Sequence, residues 1–165
     1  MLVYLAGAIE YSPDLGRAWR REITPFLQGL GHQVYDPAED ERKSLTEEEQ
    51  LNLRAWKRTD VARFRAAVRK IIEFDLDVVA RSAFVVCYFD ENGLKGGGTS
   101  GELTFAYRRG IPVYMVTAMP LSEVSGWVLG CCTEVFGDFD ELRRFLSSIH
   151  KDAKGAETNG STDTR

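Results

Sequence analysis

Residues 82–116 read SAFVVCYFDENGLKGGGTSGELTFAYRRGIPVYMV and contain, in order, a strand, a glycine-rich loop, a helix and a second strand. The first part, 82–89, is continuous in apolar residues, which is typical of a strand buried on both faces of a parallel sheet. A helical stretch covers 103–109, Gly110 caps it, and the apolar run 111–116 follows as the next strand. The segment therefore predicts one β-α-β unit of a parallel α/β sheet.

The same alternation of short strands and longer helices extends from this unit in both directions. Further strands are predicted over 2–6, 32–37 and 132–136, and further helices over 14–30, 122–129 and 139–149. Together they predict an α/β domain over residues 1–150, with a mostly parallel five-stranded sheet and helices on both faces. Residues 151–165 contain no large apolar side chain and are predicted to be a disordered tail.

A charged helical insertion is predicted at about 38–81. Seven acids lie within 36–49 and seven bases within 54–70, so opposite charges can pair across a helical hairpin. The second half also carries apolar residues at the spacing of one helical face, namely Val61, Phe64, Val68, Ile71, Ile72 and Val79.

Asp75 lies on that apolar face. A carboxylate there costs free energy unless it is paired, hydrogen-bonded or protonated. Burial favours the protonated form, which a general acid needs. The alternative is a structural aspartate bonded to a backbone group or an arginine.

Composition excludes several classes of protein. With 21 Lys+Arg against 25 Asp+Glu among 165 residues, the net charge of −4 argues against a generally nucleic-acid-binding chain. The apolar N-terminal run is too short to span a membrane and lacks signal-peptide features, so a cytoplasmic protein is predicted. Three cysteines without CxxC spacing and two distant histidines predict no metal site. Acid-base chemistry would then rest on carboxylates.

Three sequence features follow the carboxyl ends of predicted strands, where ligands bind in open parallel sheets. They contribute Gly7 after the first strand, Tyr35 and Asp36 after the second, and Asp90, Gly98, Thr99, Ser100 and Glu102 after the third. Glycines at 96–98 allow a backbone to approach a ligand closely, whereas Thr99 and Glu102 also fit a T-x-x-E capping box. The loop matches neither a P-loop nor a dinucleotide-binding fingerprint.

Four segments together resemble the nucleoside 2-deoxyribosyltransferase family, which also includes nucleotide N-glycosidases. They are YLAGAIE at 4–10, GHQVYDP at 31–37, FDLDVVARSAFVVCYFD at 74–90 and GGGTSGELTFAYRRGIPVYMV at 96–116. The similarity covers most of residues 1–146. It implies a flavodoxin-like or Rossmann-like three-layer sandwich and cleavage of an N-glycosidic bond. It also implies that Glu102 is the nucleophile, that Asp75 handles protonation of the base, and that Tyr4 orients Glu102.

The resemblance has one departure that bears on the sugar. Gly96 stands where the family has an Asp or Ser that contacts the sugar or its 5′ group. Asp90 is one alternative for this contact, and Thr99 with Ser100, serving a 5′-phosphate, is another. Tyr35 is predicted to flank the base, and Asp36 either hydrogen-bonds the base or starts a turn.

The predicted function is therefore transfer of 2-deoxyribose between bases through a covalent glycosyl-glutamate, with a nucleoside or nucleotide and a free nucleobase as partners. No metal or organic cofactor is required, and analogy with the family implies a homo-oligomer. One alternative is a hydrolase of deoxynucleoside 5′-monophosphates, with Arg17, Arg20 or Lys95 on the phosphate. Another is a nucleotide-binding sensor without turnover.

Overall fold

The computed structural model of the chain describes residues 1–40 and 44–159. Its centre is a five-stranded, fully parallel sheet in the order β2-β1-β3-β4-β5. The strands are β1 Leu2–Gly7, β2 Gln33–Tyr35, β3 Phe84–Tyr88, β4 Val113–Val116 and β5 Glu134–Phe136. β1, β3 and β4 are almost entirely buried, as the continuous apolar runs in the sequence predict.

The helices cover both faces of this sheet. They are α1 Arg17–Gly29, α2 Pro37–Asp40, α3 Glu47–Thr59, α4 Val61–Arg81, α5 Gly98–Arg109, α6 Gly126–Cys131 and α7 Phe139–Asn159. Residues of α4, α5 and α6 share a core cluster with Tyr4 and Val85 on one face. Residues of α1 and α7 share another with Val3 and Leu5 on the opposite face. The predicted flavodoxin-like three-layer sandwich is therefore confirmed.

The register of the sheet places two tyrosines side by side. Tyr4 of β1 is the pairing partner of Tyr35 of β2 and of Val85 of β3. Residues in register on neighbouring strands point to the same face of a sheet. Tyr4 and Tyr35 consequently both project toward the layer that holds α4 and α5.

The charged insertion is a hairpin of α3 and α4. Thr46 and Glu49 form a capping box at the start of α3. Arg63 lies 3.0 Å from Glu48, and Lys70 lies 2.6 Å from Glu49, each pair joining the two helices. The predicted pairing of acids and bases across the hairpin is confirmed.

The buried face of α4 is narrower than the sequence predicts. Ala67, Ile71, Asp75 and Val78 form a buried row at spacings of three and four residues, with Asp75 only 7% exposed. Val61 and Ile72, which were expected on this face, are 57% and 49% exposed. Each residue turns the helix by about 100°, so Ile72 points well away from the row that contains Ile71. Asp75 does lie on the buried face.

Two helix boundaries also differ from expectation. α5 begins at Gly98 rather than at 103. α7 continues to Asn159, beyond the predicted helix end at 149, and residues 160–165 of the predicted tail lie outside the described part. The lack of large apolar residues in this segment did not prevent helix formation, because Lys, Ala and Glu have high intrinsic helix propensity. Within the described ranges, no helix is both long and apolar enough to cross a membrane.

Candidate active site

Glu102 is held by a tyrosine from the middle of the sheet. It is half-buried on α5, the helix that the glycine-rich loop introduces. The Tyr4 hydroxyl donates a hydrogen bond of 2.9 Å to its Oε1. Burial first, and then the charges of Glu102 and Asp75, raise the pKa of Tyr4 well above its usual value. Tyr4 therefore stays protonated and donates to Glu102 over the physiological pH range.

Asp75 is held in the same way by the second tyrosine. The Tyr35 hydroxyl donates a buried hydrogen bond of 2.9 Å to Oδ1 of Asp75. Tyr35 is the last residue of β2, and Asp75 is in the second half of α4. The contact supplies the hydrogen bond that a carboxyl group on a buried helix face needs.

The two tyrosine-carboxylate pairs are in direct contact with each other. The Tyr4 and Tyr35 rings stack with a centroid distance of 5.4 Å and an interplanar angle of 20°. Asp75 and Glu102, 27 positions apart in the chain, are thus connected through two stacked phenols. The structure brings together four of the residues singled out in the sequence.

Arg20 lies beneath the loop that follows β1 and is fully buried. Its guanidinium donates to the carbonyl oxygens of Gly7 and Gly16, each at 3.0 Å, and to that of Leu5 at 3.4 Å. Burial lowers the pKa of Arg20, and the negative charges of Asp36 and Glu102 oppose that shift. Arg20 is therefore a buried cation that fixes the end of β1 and contributes positive charge near Glu102.

Asp36 pairs with this buried cation. Arg20 Nε lies 3.2 Å from Asp36 Oδ1, an ion pair whose angle falls outside hydrogen-bonding geometry. Oδ1 of Asp36 also accepts from the backbone N–H of Ala38 at 2.8 Å, at the start of α2. Burial raises the pKa of Asp36, although Arg20 and the Ala38 N–H act against it. The sequence left two roles open for Asp36, a hydrogen bond to the base or the start of a turn. The structure shows the contact at the start of the turn.

The glycine-rich loop does not contain the expected capping box. Gly97 is the N-cap of α5, and Thr99 is a buried residue inside the helix. Glu102 is the fifth residue of α5 and meets Tyr4 instead of the helix N-terminus. A Cβ atom added at Gly97 or Gly98 would meet no described atom within 4 Å, and neither residue has a positive φ. Packing within the described chain therefore does not explain these glycines.

Other predicted binding residues have partners within the fold. Gly7 is packed so closely that an added Cβ would lie 2.9 Å from the carbonyl oxygen of Tyr88, which explains this glycine without a ligand. Asp90 accepts hydrogen bonds from the backbone N–H groups of Asn92 and Gly93, at 3.0 and 3.1 Å.

Asp90 also lines a cavity of about 400 Å³ on the α1 and α7 side of the sheet. Its walls include the aromatic rings of Trp19, Tyr88 and Phe139, but neither Glu102 nor Asp75. Asp90 therefore lines a cavity that the two tyrosine-held carboxylates do not line.

Three segments meet above the carboxyl end of β1. Lys57, near the end of α3, forms an ion pair with Glu10 of the loop after β1 and lies 5.9 Å from the ring of Tyr11. In the glycine-rich loop, a Cβ atom added at Gly96 would lie 3.5 Å from the same ring. The hairpin therefore reaches the two loops that flank Tyr4 and Glu102.

The cations proposed for a phosphate are engaged elsewhere. Arg20 is buried against backbone carbonyls. Arg17 lies 3.2 Å from Glu39, and Lys95 donates to the Asn92 side chain at 3.2 Å. The prediction that Arg20 could contact a phosphate requires an accessible side chain, whereas Arg20 is fully buried. In the sequence, Arg20 stands next to Trp19 and three residues before Ile23, on the apolar side of the predicted helix. This position indicated a buried side chain, although Arg is rarely buried.

Fold and site together define a flavodoxin-like α/β protein with two tyrosine-bound carboxylates in the layer beside α4 and α5. No protein-family model and no curated protein match the sequence. Among solved structures, the chain is similar to a 2-deoxyribosyltransferase from the psychrotolerant bacterium Bacillus psychrosaccharolyticus, described as a suitable biocatalyst for the synthesis of antiviral and antitumoral nucleosides. The TM-score is 0.63 at 18% identity, covering 87% of this chain and 90% of that chain. This likeness shows a shared fold.

Proposed function

We propose that this chain is a retaining nucleoside 2-deoxyribosyltransferase that works through a glycosyl ester on Glu102. The observation that carries the proposal is the pair of hydrogen bonds by which Tyr4 holds Glu102 and Tyr35 holds Asp75, with the two rings stacked. Cleavage of a nucleoside needs a carboxylate at the sugar and an acid at the base, and this arrangement supplies two carboxyl groups on separate elements.

In the first step, Glu102 attacks the anomeric carbon of the deoxynucleoside. The C–N bond breaks, its electron pair passes to the base nitrogen, and Asp75 gives that base a proton. An ester bond forms between the sugar and Glu102. The Tyr4 hydroxyl, kept protonated by its raised pKa, fixes the orientation of the attacking carboxylate through the hydrogen bond to Oε1.

In the second step, a nitrogen of another base attacks the anomeric carbon and the ester bond to Glu102 breaks. The proton lost by the incoming base returns to Asp75, so that both carboxyl groups are restored. Two displacements on opposite faces of the sugar give overall retention of configuration. Attack by water in place of a base would give hydrolysis from the same intermediate.

The glycine-rich loop supports the same proposal. Gly97 and Gly98 are not explained by internal packing, and a backbone without side chains lets a sugar approach the start of α5 closely. The 5′-monophosphate alternative has less support, because Arg17, Arg20 and Lys95 all have partners within the fold.

The test is base exchange with the wild-type chain and two variants. The wild type is incubated with a purine or pyrimidine deoxynucleoside and a second free base, and products are separated by chromatography. Glu102→Gln should lower exchange by about a thousandfold or more, since it removes the nucleophile. Glu73→Gln, at an exposed glutamate of α4, is the matched control and should retain full exchange.

The other outcomes would favour an alternative function or contradict the mechanism. Release of base without exchange, faster from 5′-monophosphates than from nucleosides, would favour the hydrolase. Tight nucleotide binding with no release, unchanged in Glu102→Gln, would favour a sensor. Full exchange by Glu102→Gln would contradict the covalent mechanism.

A further inference from the structure

We propose that Tyr35 is a positioning residue that orients Asp75 for proton transfer to the base, a role that replaces the contact with the base expected from the sequence. This inference rests on the proposed function. The juxtaposition that carries it is the buried hydrogen bond from the Tyr35 hydroxyl to Oδ1 of Asp75.

Packing against other rings holds Tyr35 in place independently of its hydrogen bond to Asp75. It stacks on Tyr4 and also lies 6.0 Å from the ring of Phe74, the residue that precedes Asp75 on α4. Tyr35 is only 9% exposed. Because the ring is held by packing and its backbone by the sheet, the direction of its hydroxyl group is set by the fold.

A fixed donor at Oδ1 determines how Asp75 presents itself to substrate. The carboxyl group rotates readily about its terminal side-chain bond, since this torsion has a broad energy profile. A buried hydrogen bond at Oδ1 stops that rotation and so fixes the position of Oδ2 as well. Proton transfer depends steeply on such geometry.

The two tyrosines therefore have separate roles. Tyr4 orients Glu102, at the sugar, and Tyr35 orients Asp75, at the base. The charge of Asp75 contributes to the raised pKa of Tyr4, as expected for groups at close range in a buried site. Loss of the Tyr35 hydroxyl should consequently impair departure of the base without impairing the nucleophile.

A comparison of two donors separates these effects. One is a natural deoxynucleoside, whose base needs a proton to leave. The other is 4-nitrophenyl 2-deoxyriboside, whose leaving group departs as a stable anion. Tyr35→Phe retains the ring stack, and it should lower kcat on the nucleoside by about tenfold to a hundredfold while leaving KM nearly unchanged. On the nitrophenyl donor, its rate of 4-nitrophenolate release in the first turnover should stay close to wild type, because this step needs no proton from Asp75.

Four further variants complete the design. Asp75→Asn should show the same dependence on the leaving group, and Tyr35→Phe combined with Asp75→Asn should be no slower than Asp75→Asn alone, because both changes act on one group. Tyr4→Phe should slow both donors. Tyr114→Phe, at a tyrosine in the core cluster on the opposite face of the sheet, should slow neither.

The outcomes separate this inference from the proposed function. If the wild type consumes neither donor, the proposed function fails, and the role of Tyr35 fails with it. If the wild type is active and Tyr35→Phe slows both donors equally, or slows neither, the proposed function stands and the positioning role is overturned. An additional loss in the double variant beyond Asp75→Asn would also overturn it.

Discussion

The helical hairpin contains paired charges, and so does the strand-end cluster, formed by Arg20 and Asp36 beside the ends of β1 and β2. The two regions differ in how far these charges are exposed to water. In the hairpin, the Arg63 side chain is 59% exposed and that of its partner Glu48 67% exposed. In the strand-end cluster, the Arg20 side chain is fully buried and Asp36 is 17% exposed. Water screens the interaction between Arg63 and Glu48 but has little access to Arg20 and Asp36. The two ion pairs have similar distances of 3.0 and 3.2 Å, yet their interaction energies therefore differ strongly.

The difference shows which charges the fold depends on. Many of the charged residues lie in the hairpin, where exposed ion pairs contribute little to stability. Arg20, by contrast, donates to four backbone carbonyls and pairs with Asp36 in a site where an unpaired group is costly. Removing a charge from each region therefore measures the contrast directly.

The largest expected effect on stability is that of Arg20→Met. It keeps most of the side-chain volume but leaves Asp36 without its cation and the carbonyl oxygen of Gly7 without its donor. The free energy of unfolding should fall by about 3–5 kcal/mol in a urea titration. Arg63→Met is the matched change in the hairpin and should lower it by at most about 1 kcal/mol. Equal losses in the two variants would show that burial does not separate the regions.

A smaller effect is expected at the cap of α3. Thr46→Ala removes the side chain that accepts from the Glu49 N–H, and unfolding free energy should fall by about 0.5–2 kcal/mol. Thr59→Ala, at the other end of the same helix, removes an exposed hydroxyl bonded to the carbonyl of Ala55. This control should change stability by less than about 0.5 kcal/mol. A loss at Thr59 as large as that at Thr46 would refute the role of the capping box.

Ionic strength should produce the smallest difference. Between about 0.15 M and 1 M salt the Debye length falls from about 8 to 3 Å, so the pair of Arg63 with Glu48 is screened. The gap in urea midpoint between wild type and Arg63→Met should therefore shrink toward zero. The gap for Arg20→Met should persist, because the buried pair is screened far less. Parallel decay of both gaps would show that Arg20 is in contact with solvent salt.

The sheet could be predicted from the sequence because parallel strands and crossover helices leave simple patterns. The continuous apolar runs of β3 and β4 and the helix between them required only local reasoning. The burial of Asp75 was also predictable, since it falls on an apolar helical face. The sequence pattern failed at Ile72, because one residue of helix rotation separates a buried position from an exposed one.

The partners within the site could not be derived from the chain order alone. The bond between Tyr35 and Asp75 joins residues 40 positions apart, and that between Tyr4 and Glu102 joins residues 98 apart. Sheet register and helix docking, which local patterns do not encode, determine such contacts. The family resemblance suggested that Tyr4 orients Glu102, whereas nothing in the sequence assigned Tyr35 to Asp75. The T-x-x-E pattern occurs at both Thr46 and Thr99. The structure forms the capping box at Thr46 and not at Thr99, so the pattern at Thr99 was misleading.

The covalent ester on Glu102 is the central claim, and peptide mass spectrometry tests it most directly. The chain is incubated with a deoxynucleoside in the absence of an acceptor base, quenched in acid and digested. We predict a mass increase of one 2-deoxyribosyl group on the peptide that contains Glu102, lost on addition of a free base and absent in Glu102→Gln. Base exchange by the wild type with no label on this peptide, or with label on another carboxylate, would contradict the assignment.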